Sequence, residues 1–419
     1  MIISFDAVGA RDLPYLLEKP RFGAFFQDGS FCKNVFSVYP SITYPAHTSI
    51  ITGRSPAHHG VVNNTLIQPG RKKPDWMWQR RYIKGTTLFD EAIKKHMTVA
   101  SLFWPVTAQS KVTYNVPEVL ANKSWENQVF VSLLNGTPLY ELDLVRRFGS
   151  ALRGIHQPEL DTFTHASALY TLERYQPDLM MIHYTDVDTN RHEYGLDREK
   201  ITAALDRHEV RLKELEDKLR ELGIYENTTM VILGDHCQMD VHTIVYPNAI
   251  FRKKGWINVK NGKISDWKVL CHEADGSCYI YVKDSKLKTE VEGLLRSLVQ
   301  KENSGIEAVY TSQEVEKMGA DPACTFMVEA EPFYYFQDDT EVFQKPISKA
   351  EGSAMRATHG YRTDKPGYQT FFAMRGKSIR KNHEISQMQL IDEGPTMARV
   401  LGVDLGKTDG QCKMEIFNR

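Results

Sequence analysis

A chain of 419 residues with a net charge of −1 has no basic field with which to hold a nucleic-acid polymer, and no apolar run in it approaches the length of a bilayer crossing. Its 42% hydrophobic and 25% charged residues describe a globular protein, long enough for one large α/β domain with an insertion or for two domains. Six cysteines (Cys32, Cys237, Cys271, Cys278, Cys324, Cys412) show neither paired metal spacing nor a dense disulfide framework, and a strand beginning at Met1 leaves no room for a secretory signal, so reduced thiols in the cytoplasm are the expectation.

Residues 1–5 (MIISF) form an apolar run ending at Asp6, the pattern of a buried parallel strand with a carboxylate at its C-terminal end, where doubly wound sheets bind ligands. A short helix near residues 12–17 leads towards an extended run at 35–38. Next comes YPSITYPAHTSIITGRSPAHHGVVNN, residues 39–64. Thr43 stands in it where a helix begins, and HTSIIT is helical until Gly53 ends it. At a helix start the hydroxyl serves as a cap, or it faces an anion held by the free backbone N–H groups.

Residues 87–95 read as a helix and 98–103 as a strand closing on Trp104 and Pro105. The section 107–149 reads as irregular, and its scattered aromatics make it a candidate wall of a substrate pocket. Residues 159–175 are helical, and 178–184 (DLMMIHY) form a strand leading into TDVDTNRHEYG. The longest amphipathic helix covers 200–222, with a charged, solvated face. A third apolar strand, 228–233 (TTMVIL), ends in Gly234, Asp235 and His236. From about 241 to 357 short β-like runs (277–282, 307–311, 325–331) and a helix near 288–300 predict a smaller inserted α+β subdomain. The core, 1–240, resumes at His359 with a strand at 369–374 and a last helix around 390–401. The predicted fold is therefore α/β, with a doubly wound, mostly parallel sheet in 1–240 and 358–419 and an insertion at 241–357.

The chemistry is carried by Asp6, Thr43, Asp188, His192, Asp235, His236 and His359, residues at strand ends whose Asp and His donors suit zinc in a catalytic rather than a closed structural site. Asp188 and His192, four apart, reach one ion. Asp235 and His236, adjacent, turn towards a second. Two ions clamp a phosphoryl group, and a hydroxyl coordinated to zinc is acidified, so Thr43 is placed for in-line attack on phosphorus and a covalent phospho-threonine that water then releases. Among the remaining residues, His47, His58, His183, His242 and His272 read as structural, Cys237 as a buried thiol, Asp186 as a group orienting a metal-bound His, and Arg80 and Arg81 as a solvated charge cluster.

These blocks, Thr43-Tyr44-Pro45-Ala46-His47, Thr52-Gly53, His59-Gly60, Asn64, Asp188-Thr189-Asn190-Arg191-His192, Asp235-His236 and His359-Gly360-Tyr361, resemble the nucleotide pyrophosphatase/phosphodiesterase branch of the alkaline phosphatase superfamily, bacterial type. The resemblance implies one zinc on Asp188, His192 and His359 and another on Asp6, Asp235, His236 and the Thr43 oxygen, with other divalent ions such as Mn2+ as substitutes. It implies that Asn64 donates to a phosphate oxygen and that Tyr44 stacks on a nucleobase, and Trp104 joins Tyr44 as a substrate-pocket candidate. Ala46, Val106 and Cys237 depart from the family's usual Asn, Gly and Gly. The expected function is hydrolysis of phosphodiester or pyrophosphate bonds, of nucleotides first, with no membrane partner. A phosphomonoesterase or phosphonate hydrolase using the same site, and a non-catalytic metal or nucleotide sensor, are the alternatives. A sulfatase is excluded by Thr43 standing where the nucleophilic Cys would, and a phosphoglycerate mutase by the lack of a large insertion after it.

Overall fold

Nine strands make the central sheet of the computed structural model, which describes residues 1–123, 125–349 and 354–418. In chain order they are β1 (Ile2–Phe5), β2 (Ser30–Phe36), β3 (Val99–Leu102), β4 (Tyr114–Val116), β5 (Leu179–Tyr184), β6 (Met230–Leu233), β7 (Thr370–Arg375), β8 (His383–Ile385) and β9 (Met388–Gln389). Their spatial order is β8-β2-β7-β6-β1-β5-β3-β4, with β9 also on β2. All pairings are parallel except those of β7, which runs antiparallel to β2 and β6. The sheet is thus doubly wound and mostly parallel, as the apolar runs predict. Every residue of β1, β3, β5 and β6 is buried, because two apolar clusters, one holding Ile50, Ile51, Leu88 and Phe89 and the other Phe22, Leu172, Leu205 and Leu212, cover the two faces.

Central β1 lies between β5 and β6, so the chain's crossovers leave it in opposite directions and open a crevice at the C-terminal strand ends. Asp6 follows β1, Asp235 follows β6 by one residue, and the helix Asp186–Tyr194 follows β5. The three acidic tips converge on one place for topological reasons alone.

Arg191 locks this end of the sheet. It is 1% exposed, its Nη2 is 2.6 Å from Asp12 Oδ1, and its Nη1 donates to the carbonyl of Ala7, the residue after Asp6. Removing one partner of a buried pair strands the other charge. Asp12→Ala is expected to destabilise the protein by about 3–5 kcal/mol, read as a lower urea midpoint at unchanged slope.

Two regions differ from the sequence reading. The section 107–149 is not irregular: besides β4 it holds helices Gln128–Asn135 and Pro138–Phe148. Asn127 caps the first by accepting from the Val129 N–H at 2.9 Å, and Pro138 begins the second. A helix at Pro20–Asp28 also precedes β2. Between the two core segments the chain builds two four-stranded sheets and a hairpin (Ile257–Lys260 with Lys263–Trp267). Strand Met239–Val245 leaves the core and pairs antiparallel with the returning Ala357–Thr358, so exit and re-entry are hydrogen-bonded together. No described helix is long and apolar enough to cross a membrane.

Candidate metal centre

Thr43 is the first residue of the helix Thr43–Thr52, not its cap. Ile42 is the N-cap, in extended conformation, and no side chain caps the helix. Gly53, at φ 64°, closes it in the left-handed region that glycine adopts without strain. The Thr43 hydroxyl is therefore free of the backbone, and its Oγ1 lies 3.2 Å from His236 Nε2. The Tyr44 N–H donates to Asn64 Oδ1 at 2.9 Å, which turns the Asn64 amide nitrogen away from that bond.

His236 Nε2 is the focus of the first cluster. Asp6 Oδ1 stands 3.3 Å from it and Asp235 Oδ2 3.2 Å. Neither carboxylate oxygen has a hydrogen-bond partner among the described residues, although His47 Nδ1 lies 3.4 Å from Asp235 Oδ2. Their other oxygens are engaged, Asp235 Oδ1 by the Ala7 N–H at 3.1 Å and Asp6 Oδ2 by His183 Nε2 at 3.0 Å. Two buried, partnerless carboxylate oxygens converging on an imidazole nitrogen and a hydroxyl are a donor set for a cation. The second cluster joins Asp188, His359 and the same His236, each offering an atom within 4.8 Å of the others. His192 is not within that tightest group. It approaches through Asp188, whose Oδ1 is 3.3 Å from His192 Nε2, while its Nδ1 meets the Ala357 carbonyl at 2.9 Å. His359 Nε2 is 3.9 Å from Asp188 Oδ1. The residues present thus fit two cations side by side, with His236 between them.

Titratable groups of the two clusters are strongly shifted by burial and by one another. Burial, with Asp188 and Glu118 nearby, pushes Asp6 well above the usual carboxylate range, and burial with Asp6 does the same to Asp235. Burial raises Asp188 as well, but His192, His359 and His236 outweigh it and hold it low. Burial pulls His192 down and Asp188 more than reverses this, carrying it up to about 9. Burial, with His359 adding, holds His236 neutral.

Several residues take places that the sequence did not indicate. His183, an apparent core histidine, touches Asp6. Asp275 Oδ2 lies 3.1 Å from His359 Nδ1, and the buried Gln238 amide donates to Asp188 Oδ1. Both orient ligands from outside, and neither carries a motif. Asp186, expected to orient a metal-bound histidine, instead binds Arg207 and Arg211 and touches none of the candidate ligands. Tyr44 and Trp104, expected to line the substrate pocket, are both buried. Tyr44 is 1% exposed, edge-on to Trp76 and donating its hydroxyl to the Glu118 carbonyl. Trp104 is 0% exposed and edge-on to His47. His47 bonds the Thr43 carbonyl and Ser4, His272 the Thr65 carbonyl, and Arg80 pairs with Asp90. Cys237 is fully buried. Val106, where the family has glycine, keeps a left-handed φ of 58°, a conformation costing a β-branched residue about 1–2 kcal/mol.

The chain is similar to known proteins. The profile of the type I phosphodiesterase / nucleotide pyrophosphatase family matches residues 1–362. Human ectonucleotide pyrophosphatase/phosphodiesterase family member 1 is 23% identical over 275 residues, 64% of this chain and 26% of that protein; the chain thus matches about a quarter of that relative's length. The bis(5'-adenosyl)-triphosphatase ENPP4 of Pongo abelii is 21% identical over 428 residues, 96% of this chain and 78% of the relative. Among solved structures, murine ectonucleotide pyrophosphatase/phosphodiesterase 5 superposes with a TM-score of 0.69 at 16% identity, covering 100% of this chain and 99% of that one. An inactive variant of that murine protein, solved with AMP, superposes equally well.

Proposed function

The chain belongs to the type I phosphodiesterase / nucleotide pyrophosphatase family, and from that premise we propose that it is a two-cation hydrolase that cleaves phosphodiester or pyrophosphate bonds of small nucleotides through a covalent phospho-threonine at Thr43. The observation that carries this reading is the convergence of the Thr43 hydroxyl, Asp6 Oδ1 and Asp235 Oδ2 on His236 Nε2, all within 3.3 Å of it, with both acid oxygens lacking partners. Asp6, Asp235, His236 and Thr43 would hold one ion and Asp188, His192 and His359 the other, and Asp/His donors fit zinc first and manganese second. When bound, such a pair supplies positive charge to the phosphoryl oxygens and acidifies the threonine hydroxyl.

The chain's own groups do the rest. The start of helix Thr43–Thr52 presents the positive end of its dipole to the phosphoryl group. Asn64, its carbonyl oxygen held by the Tyr44 N–H, directs its amide N–H groups towards a phosphoryl oxygen. His47 stays neutral, lowered by burial and by His183 beside it, and braces the first turn through the Thr43 carbonyl. The six free thiols, five of them buried, support the cytoplasm as the working compartment.

Zinc-loaded protein is expected to hydrolyse p-nitrophenyl-thymidine monophosphate and a dinucleoside polyphosphate faster than p-nitrophenyl phosphate. Preference for the monoester transfers the site to a phosphomonoesterase, and no turnover on any of them removes the enzymatic reading. Asn64→Ala is expected to lower kcat by about 10²–10³-fold with a smaller change in KM, as initial rates on the diester will register.

A further inference from the structure

We propose that His183 and Glu118 form a positioning string that holds the Asp6 carboxylate in a one-oxygen binding pose for its cation; this rests on the two-cation reading above. β5 pairs in register with β1, Ser4 opposite His183, so the imidazole stands beside the strand that ends in Asp6. Its Nε2 meets Asp6 Oδ2 at 3.0 Å. That contact occupies one oxygen of the carboxylate and leaves Oδ1, the partnerless one, aimed at His236. Without the imidazole, Asp6 is free to rotate about its terminal torsion and to offer both oxygens or neither, because such torsions are broad.

The ring is itself held from behind. Its Nδ1 lies 3.1 Å from the Phe103 carbonyl, on a residue with φ 59°, an uncommon backbone conformation for a bulky side chain that aims this carbonyl at the ring. Glu118 Oε2 is 3.6 Å from the same nitrogen, buried and without a hydrogen bond of its own. The Glu118 carbonyl accepts from the Tyr44 hydroxyl at 3.1 Å, so the loop that carries this acid is tied to the helix that carries Thr43. The imidazole packs against His47, the two rings tilted at 60° with centroids 4.3 Å apart. A histidine bonded to a backbone carbonyl at one nitrogen, packed against His47 with the Glu118 acid behind it, and touching a candidate ligand with its other nitrogen is placed to orient that ligand.

The test is calorimetric titration of zinc into metal-stripped full-length protein, resolved into two binding events. His183→Leu is expected to weaken one event about 10–100-fold and to leave the other within error. His183→Gln, whose amide nitrogen reaches Asp6, is expected to restore most of the loss. Glu118→Ala, at a side chain a quarter exposed, is expected to weaken the same event by about threefold or more, because it removes the acid behind the ring. It decides the matter if the Leu variant fails to fold. Wild-type affinity for both ions in the Leu and Ala variants overturns the proposal, as does equal weakening of both events. The readout separates the two ideas: a protein that shows this pattern yet hydrolyses no diester keeps the positioning role and loses the proposed function.

Discussion

Thr43→Ala is expected to lower kcat on the diester substrate by about 10⁴-fold or more while both cations and the reaction's nucleoside monophosphate product still bind. The size follows from removing a nucleophile rather than a contact. Without the γ-oxygen there is no bond to phosphorus to form, and only slow attack by water at the polarised phosphoryl group remains. Binding survives because Thr43 is not the helix cap: Ile42 is, so the substitution does not take a hydrogen bond from the helix start. His236 also keeps Asp6 and Asp235 at 3.3 and 3.2 Å. Single-turnover measurement with acid quench completes the test, since wild-type protein should trap a labelled phospho-threonine and the alanine variant none. A non-catalytic sensor gives the contrary result, with ligand affinity unchanged and no turnover to lose.

The tips of the sheet were legible in the residues because each pairs an apolar run with an acid. MIISF before Asp6 and TTMVIL before Asp235 mark buried parallel strands, and a doubly wound sheet brings such ends together whatever lies between them. Asp188 and His192 were legible by their spacing, which the helix Asp186–Tyr194 turns to one side. What surrounds them was not. His183 sits inside DLMMIHY, where the continuous apolar run marks it only as buried; its role depends on the register of β5 against β1, which no local pattern encodes. The roles of Tyr44 and Trp104 are hidden for a related reason, since an aromatic beside a motif is written the same way whether it lines a cleft or fills a core. Here the Glu118 loop and Trp76 cover the first, and His47 the second. The helices within 128–148 escaped because Phe130, Leu134 and Leu139 stand exposed, so the apolar face a helix should bury is not the one their sequence presents.

Removing divalent cations with a chelator is expected to abolish turnover and zinc to restore it, with a pH dependence whose sign the metal-free site dictates. Near pH 7 the free protein carries protons that a cation must displace. One is on His192, which Asp188 lifts to about 9 against the opposing effect of burial; burial also raises Asp6, with Asp188 and Glu118 adding, and Asp235, with Asp6 adding. His236 contributes none, being neutral. A ligand whose pKa in the free protein exceeds the working pH binds metal only after deprotonation, so apparent affinity rises with pH below that pKa and levels off above it. For His192 the gain from pH 6 to pH 8 is about 100-fold, tenfold per unit for the proton displaced. Calorimetry in buffers of different ionisation heat counts the protons directly and should find at least one released per protein at pH 7. Affinity independent of pH between 6 and 8, with no proton released, means that His192 is already free of its proton and that the Asp188 contact does not govern the second ion.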